Sequence, residues 1–331
     1  MIRFFANANY DFIGFRKYAY GLTAAIIVPG LILLAVSGLN YSIEFTGGTL
    51  VQIRATGPTP PSAGDLRAAL DAGGIRGAEI QAYGTDRDFV VRARLSAEAT
   101  GSQEEAQRTA EAVVGAIRQR LGADAVVMER REAVGPKVGG ELRQKALLAI
   151  LLSFVATLVY LAFRFEFRFG LAAVIATAHD IITTIAFIKY MNLEVSLVVV
   201  GAILTVVGYS LNDTIIIFDR TRENLHKYKR SDLGEILNRS INETLPRSVL
   251  THGTTIATTL ALLVFAGEVI RPWAWVMSFG IFTGTFSSIY IAGPVLLYIE
   301  RRWPGTDAKG VRARVAPATH RAALEPPPAE A

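Results

Sequence analysis

The chain has 331 residues, of which 51% are hydrophobic and 19% charged, with a formal net charge of +5. The apolar residues gather into long blocks instead of recurring at helix or strand spacing, which is a membrane composition and not that of a soluble domain. The absence of cysteine excludes disulfides, zinc-thiolate sites and cysteine nucleophiles, and His179, His226, His252 and His320 are too scattered for a metal cluster, so no metal or cofactor is expected.

Six stretches reach the roughly 20 apolar residues needed to cross a bilayer core about 30 Å thick. They run approximately over 19–38, 143–163, 170–190, 195–218, 248–268 and 274–299. A short N-terminal segment, 1–18, precedes the first. That first stretch, with its basic start and small residues around Ala35 to Gly38, also fits a cleaved signal peptide. Its length exceeds the roughly 7 to 15 residues of such a region and favours a permanent span.

Residues 39–141 lose the membrane composition. Thr49 to Ala55 alternates as a strand, and Ser62 with Asp65 three residues on forms a capping-box pattern that starts a helix through Ala72, ended by Gly73 and Gly74. Glu79 to Tyr83 and Phe89 to Leu95 read as strands about a turn at Gly84. Gln103 to Leu121 is a second helix with Ala106, Ala110, Val113, Val114 and Ile117 at core spacing, and Ala125 to Arg130 a last strand. The order β-α-β-β-α-β is the ferredoxin-like arrangement. The expected fold is therefore a membrane all-α protein of six transmembrane helices, with a ferredoxin-like α+β domain outside the membrane between helices 1 and 2. Glu104, Glu105 and Glu111 lie on the solvated face of their helix, no nucleophile, base and orienting group converge, and no enzymatic activity is expected. Such a domain suits contact with an extended chain or a partner. Gly47 and Gly48 make either a close backbone approach or a turn into the first strand.

Residues 142–218 hold helices 2 to 4. Inside the third span stand His179 and Asp180; inside the fourth stands Asp213, with three isoleucines and Phe218 before the next arginine. A lipid-exposed Asp costs about 2.5 to 3.5 kcal/mol at a helix centre. Residues 219–247 form a loop in which Leu233, Ile236, Leu237, Ile241 and Leu245 share one face, with Glu235, Arg239 and Glu243 away from it, the pattern of a helix lying along the inner membrane surface. Helices 5 and 6 occupy 248–299, and Gly280 and Gly284 make a GxxxG suited to close packing. The tail, 300–331, is rich in Pro, Ala and Arg, lacks apolar periodicity and reads as disordered.

The basic residues read as topology signals and not as a nucleic-acid surface. Arg3, Arg16, Lys17, Arg164, Arg168, Arg220, Arg222, Lys227, Lys229, Arg230, Arg239, Arg301 and Arg302 fall on one side, against Lys189 and Arg271 in the opposite short loops. The positive-inside rule places both termini in the cytoplasm. Asp213 then lies near the cytoplasmic end of its helix, and Arg247, beside Pro246, opens the next one at similar depth. Each charge faces the unfavourable pole of its own helix and relieves the other. Thr251 follows one turn above Arg247, with Thr254, Thr255, Thr258 and Thr259 beyond it and Tyr209 and Ser210 one turn before Asp213, a surface able to hold water. Three uses fit this placement: a proton-carrying pair, an interhelical clasp, or two charges that simply snorkel to the interface. For His179 and Asp180 the alternatives are an accessory proton site and a helix–helix hydrogen bond.

Several segments together resemble the SecF family, subunits of the bacterial SecDF protein-export complex within the resistance-nodulation-division superfamily. They are GLNYSIEFTGG after the first span, VGPKVGGELRQKA before the second, AHD in the third, VGYSLNDTIIIFDRTREN through the fourth and LNRSINETLPRSVLTHGTT entering the fifth. With the six-span layout the likeness covers about residues 1–303. It implies a multi-pass protein of the bacterial inner membrane that works with SecD and the SecYEG translocon, using the proton-motive force to assist a translocating polypeptide at the outer face. It also implies that Asp213, Arg247 and Thr251 serve proton passage with an Asp from the SecD half, and that the external domain moves as protons pass. The alternative within that superfamily is a proton-coupled exporter of small molecules.

Overall fold

The computed structural model describes residue 5 and residues 8–57, 59–93, 103–267 and 269–304, apart from the side chains of residues 103 and 136. Leu95 and the tail beyond residue 304, both part of the expectations above, lie outside the described residues.

Among the described residues, six helices are long and apolar enough to cross a membrane. The first is α1 (Arg16–Ser37), which leads through a single turn, α2 (Ile43–Thr46), into the external domain. That domain runs β1 (Gly48–Ala55), α3 (Ala63–Ala72), β2 (Glu79–Tyr83), β3 (Thr85–Ala93), α4 (Gln103–Leu121) and β4 (Val126–Val134). The four strands form an antiparallel sheet in the order β2-β3-β1-β4, so the βαββαβ order read from the sequence folds as a ferredoxin-like unit. Period-2 alternation sends Val51, Ile53 and Ala55 of β1 to one face, where Leu66 and Leu70 of α3 and Ala110, Val113 and Ile117 of α4 cover them. Ser62 and Asp65 complete a reciprocal capping box at the start of α3. The strands β3 and β4 each run four residues beyond the expected bounds, β3 at its start and β4 at its end: residues 131–134 of β4 pair on with β1, and at the start of β3 Asp88 pairs with Arg54 of β1 and Thr85 with Tyr83 of β2, where hydrophobic alternation has stopped.

The remaining spans are α5 (Pro136–Arg164), α6 (Phe167–Tyr190), α7 (Leu197–Lys227), α8 (Leu233–Phe265) and a last rod made of α9 (Arg271–Ser287), a π-helical turn (Ser288–Ala292) and α10 (Gly293–Arg302). Two differences from the sequence reading matter. First, the loop helix and the fifth span are one helix of 33 residues that passes through Pro246. The face carrying Leu233, Ile236, Leu237, Ile241 and Leu245 does not meet a membrane surface: it packs with Phe12, Ile13, Phe218, Leu225, Leu296 and Leu297. The apolar periodicity was right and the covering surface is protein. Second, the π turn inserts one residue's worth of backbone into the sixth span, a device that re-aims the side chains around it.

The helices α7 and α9 meet at glycines. A β-carbon at Gly280 would stand 2.3 Å from Val206 Cγ2, and one at Gly284 would stand 2.9 Å from Ser210 Cβ. The GxxxG thus brings α9 against α7 at the level where α7 carries its polar residues.

Candidate functional site: a polar seam inside the membrane

Four membrane elements place polar groups in one region. From α7 come Tyr209, Ser210, Asp213 and Thr214; from α8, Arg247, Ser248, Thr251, His252 and Thr255; from α9 and the π turn, Thr285, Ser287 and Ser288; from α6, His179 and Asp180.

Asp213 is 2% exposed. Its Oδ1 accepts a hydrogen bond of 2.5 Å from Ser248 Oγ, and its Oδ2 is buried with no hydrogen-bond partner among the described residues. Arg247 stands next to Ser248 and so at the same depth as Asp213, yet its side chain is exposed, and no described carboxylate forms an ion pair with it. The two charges share a level without touching. The guanidinium and His252 both remain within Coulombic range of the Asp213 carboxyl.

Thr251 is exposed one turn beyond Arg247, and its backbone carbonyl accepts a 3.2 Å bond from the Tyr209 hydroxyl, which also donates to Thr255 Oγ1 at 2.9 Å. Thr254, Thr255 and Thr258 donate to carbonyls one turn back on their own helix. Their hydroxyls are therefore already satisfied, and the hydroxyl-rich stripe by itself does not require water.

His179 and Asp180 sit apart from this pair, on α6. Asp180 is fully buried; its Oδ2 accepts from Ser210 of α7 and, at 2.7 Å, from Ser287 of α9, and its Oδ1 lies 3.0 Å from His179 Nδ1. Three helices are tied together at one carboxyl. His179 Nε2 is buried with no hydrogen-bond partner among the described residues. One turn further along α7, Thr214 bonds Ser288 of the π turn at 2.8 Å, and the Thr285 hydroxyl lies 2.6 Å from His252 Nδ1.

Sequence reading named Asp213, Arg247, Thr251, His179 and Asp180, but missed Ser248, His252, Ser287 and Ser288. A signal for two of them was present: Ser248 and His252 are four residues apart on α8, hence on one face, the face turned to Asp213. For the two serines of the sixth span no signal existed, because the π turn that aims them is invisible to helical periodicity.

A multi-pass membrane protein with one small sheet domain outside and a buried carboxylate-bearing seam inside is a class shared by transport proteins. Residues 113–302 match the family described as protein export membrane protein SecD/SecF, C-terminal, and residues 32–59 match the SecD/SecF GG motif. Among named relatives, protein translocase subunit SecF of Gemmatimonas aurantiaca is 55% identical over 325 residues, covering 96% of this chain and 97% of that one. The subunit of the same name from Desulfurispirillum indicum is 41% identical over 299 residues, 88% of this chain and 92% of that one. Two solved structures are similar: SecDF from Thermus thermophilus, with a TM-score of 0.76 and 34% identity over 90% of this chain, and SecDF in a super-membrane-facing form, with 0.63 and 35% over 89%. This chain spans 39% of each of those SecDF chains. The chain belongs to the SecD/SecF family and is a protein-export membrane subunit of the SecF type.

Proposed function

We propose that this subunit couples proton entry through Asp213 to polypeptide export, as the inner-membrane partner of a SecD protein, with both termini in the cytoplasm and SecYEG as the channel it serves. It works as a non-catalytic accessory, without a metal or cofactor. The observation that carries the reading is the unpaired state of two charges at one depth: a buried carboxylate with one bare oxygen and an exposed guanidinium beside it. A guanidinium at a lipid-facing position would be costly, so Arg247 calls for a second polytopic chain that brings an acidic group to it. Thr251, one turn beyond on the same face, extends the contact. When Asp213 is ionised its bare oxygen attracts Arg247 or a proton; when it is protonated that demand vanishes. The domain bounds fit this division of labour, with the seam in the spans and polypeptide contact assigned to the external sheet.

The driving force is adequate. One charge crossing 100 mV is worth about 2.3 kcal/mol, and each pH unit adds about 1.4 kcal/mol. The test is Asp213→Asn in the assembled complex reconstituted with the channel: gradient-dependent secretion is lost while the complex still co-purifies. Undiminished gradient-dependent secretion would refute the assignment. Substrate efflux from vesicles holding this chain and its SecD partner, without the channel, would favour a small-molecule exporter instead.

A further inference from the structure

The external domain is joined to the membrane bundle in an unexpected place. It leaves the first span, but the bonds that hold it run to the six-residue connection between α6 and α7. Ser42 N–H donates to Val195 O at 3.0 Å and Val195 N–H to Asn40 O at 2.7 Å, so Tyr41 and Val195 pair as a parallel bridge. Arg92 of β3, its side chain buried, forms an ion pair with Glu194. Most telling is Glu44 of α2: its Oε2 accepts 2.6 Å from the backbone N–H of Leu197, the first residue of α7.

A helix leaves its first N–H groups without intrahelical partners, and a carboxylate there also meets the favourable end of the helix dipole. The α7 terminus takes one such acceptor from its own Ser196 and a second from Glu44, across 153 residues of sequence. Asp213 stands 16 residues further along the same helix, about 24 Å at 1.5 Å per residue. On the other side, α2 passes straight through Gly47 and Gly48, both at positive φ, into β1, which is central in the sheet. Gly139 of α5 lets that helix come close to this backbone: a β-carbon on Gly139 would lie 2.8 Å from Gly47 N. Beside this joint, and bordered by its own Glu44, Arg92 and Glu194, a cavity of about 480 Å³ separates the sheet face not covered by α3 and α4, with Gln52 and Val90, from Trp275 at the outer helix ends.

We propose that Glu44 is a positioning residue which, with the Tyr41–Val195 bridge and the Arg92–Glu194 pair, forms a closed joint that transmits displacement of α7 to the external domain. The joint stays shut through the working cycle. This deepens the proton-driven reading and rests on it.

The test uses the full complex. In Glu44→Ala combined with Arg92→Ala, gradient-dependent secretion falls to the level of Asp213→Asn while co-purification with the SecD partner persists; Glu44→Gln, which keeps an acceptor oxygen for Leu197, retains activity. Because the chain has no cysteine, a Tyr41→Cys, Val195→Cys pair can be oxidised cleanly, and the locked joint secretes as well as the reduced one. Normal secretion by the double alanine variant, or loss on oxidation that reduction restores, overturns the joint. A second readout separates it from the proton reading: Glu44→Ala raises amide hydrogen exchange both in residues 195–200 and in β1. If Asp213→Asn leaves secretion unchanged, the proton reading fails, and unchanged exchange in β1 then overturns the joint as well.

Discussion

Ser248 of α8 donates its hydroxyl to Asp213 of α7 at 2.5 Å, filling one of two carboxyl oxygens and leaving the other buried and without a partner among the described residues. The hydroxyl belongs to the residue next to Arg247, so the neutral group holds the carboxylate while the charged one is turned outward. Removing a hydrogen bond to a charged group costs about 1.5 to 3 kcal/mol, or about tenfold and more. Ser248→Ala is expected to lower gradient-dependent secretion by about tenfold, with Ser248→Thr restoring it; equal rates in all three chains would show that the hydroxyl is idle.

At Arg247 the expectation concerns shape as well as charge. A guanidinium offers a planar fork and an ammonium a point charge. Arg247→Lys should therefore reduce gradient-dependent secretion even though the charge is kept, as measured in vesicles with an imposed gradient. Full activity in the lysine chain would favour a passive scaffold.

Close packing of α7 against α9 makes a sharp stability prediction. A methyl at Gly280 would stand 2.3 and 2.7 Å from the two Cγ atoms of Val206 and 3.1 Å from its Cβ, so no rotamer relieves the clash. Overpacking of this kind costs about 1 to 3 kcal/mol. Gly280→Ala should lower the thermal unfolding midpoint in detergent, and Val206→Ala in the same chain should recover most of it. An unshifted midpoint in the single variant would mean that the helices are further apart than described.

At the end of the bundle away from the external domain, two asparagines one turn apart on α8 hold the segment before α1. Asn242 accepts from Tyr10 N–H at 2.8 Å and donates to Tyr10 O at 2.9 Å, while Asn238 accepts from Ile13 N–H and donates to Asp11. Phe12 and Ile13 enter the core between them, Phe12 meeting Tyr290 of the π turn edge-on. Asn238→Ala with Asn242→Ala strands these backbone groups, each at about 1 to 3 kcal/mol. Faster hydrogen exchange over residues 8–15 is expected, and protection equal to the parent would contradict the anchoring.

Outside the membrane, Asp88 of β3 accepts from Arg54 and Thr85, both at 2.7 Å, and these bonds hold its carboxyl below the ordinary aspartate value of 3.8. A group with a depressed folded-state value stabilises the fold above its unfolded value and loses that contribution as pH falls through the folded one. The protection of β1 and β3 amides should therefore drop as the pH is lowered below about 3.8, and Asp88→Asn should flatten that part of the profile. An identical acid profile in the asparagine chain would assign the loss to other carboxylates.

Span number, the βαββαβ order and the anomaly of Asp213, Arg247, His179 and Asp180 were all readable along the chain. Each depends on a local property: the length of an apolar block, a period of two or 3.6, or a charge where lipid should be. Tertiary structure decided what those residues touch. That Asp213 takes Ser248 and not Arg247, that Asp180 joins Ser210 and Ser287, and that Glu44 caps a helix 153 residues away are all long-range contacts, fixed by how helices pack at Gly280 and Gly284 and by a π turn that no periodicity announces. The helix over Leu233–Phe265 shows the same division: its apolar face was set by sequence spacing, but protein and not the membrane surface covers it, because only the assembled bundle determines which apolar surface lies nearest.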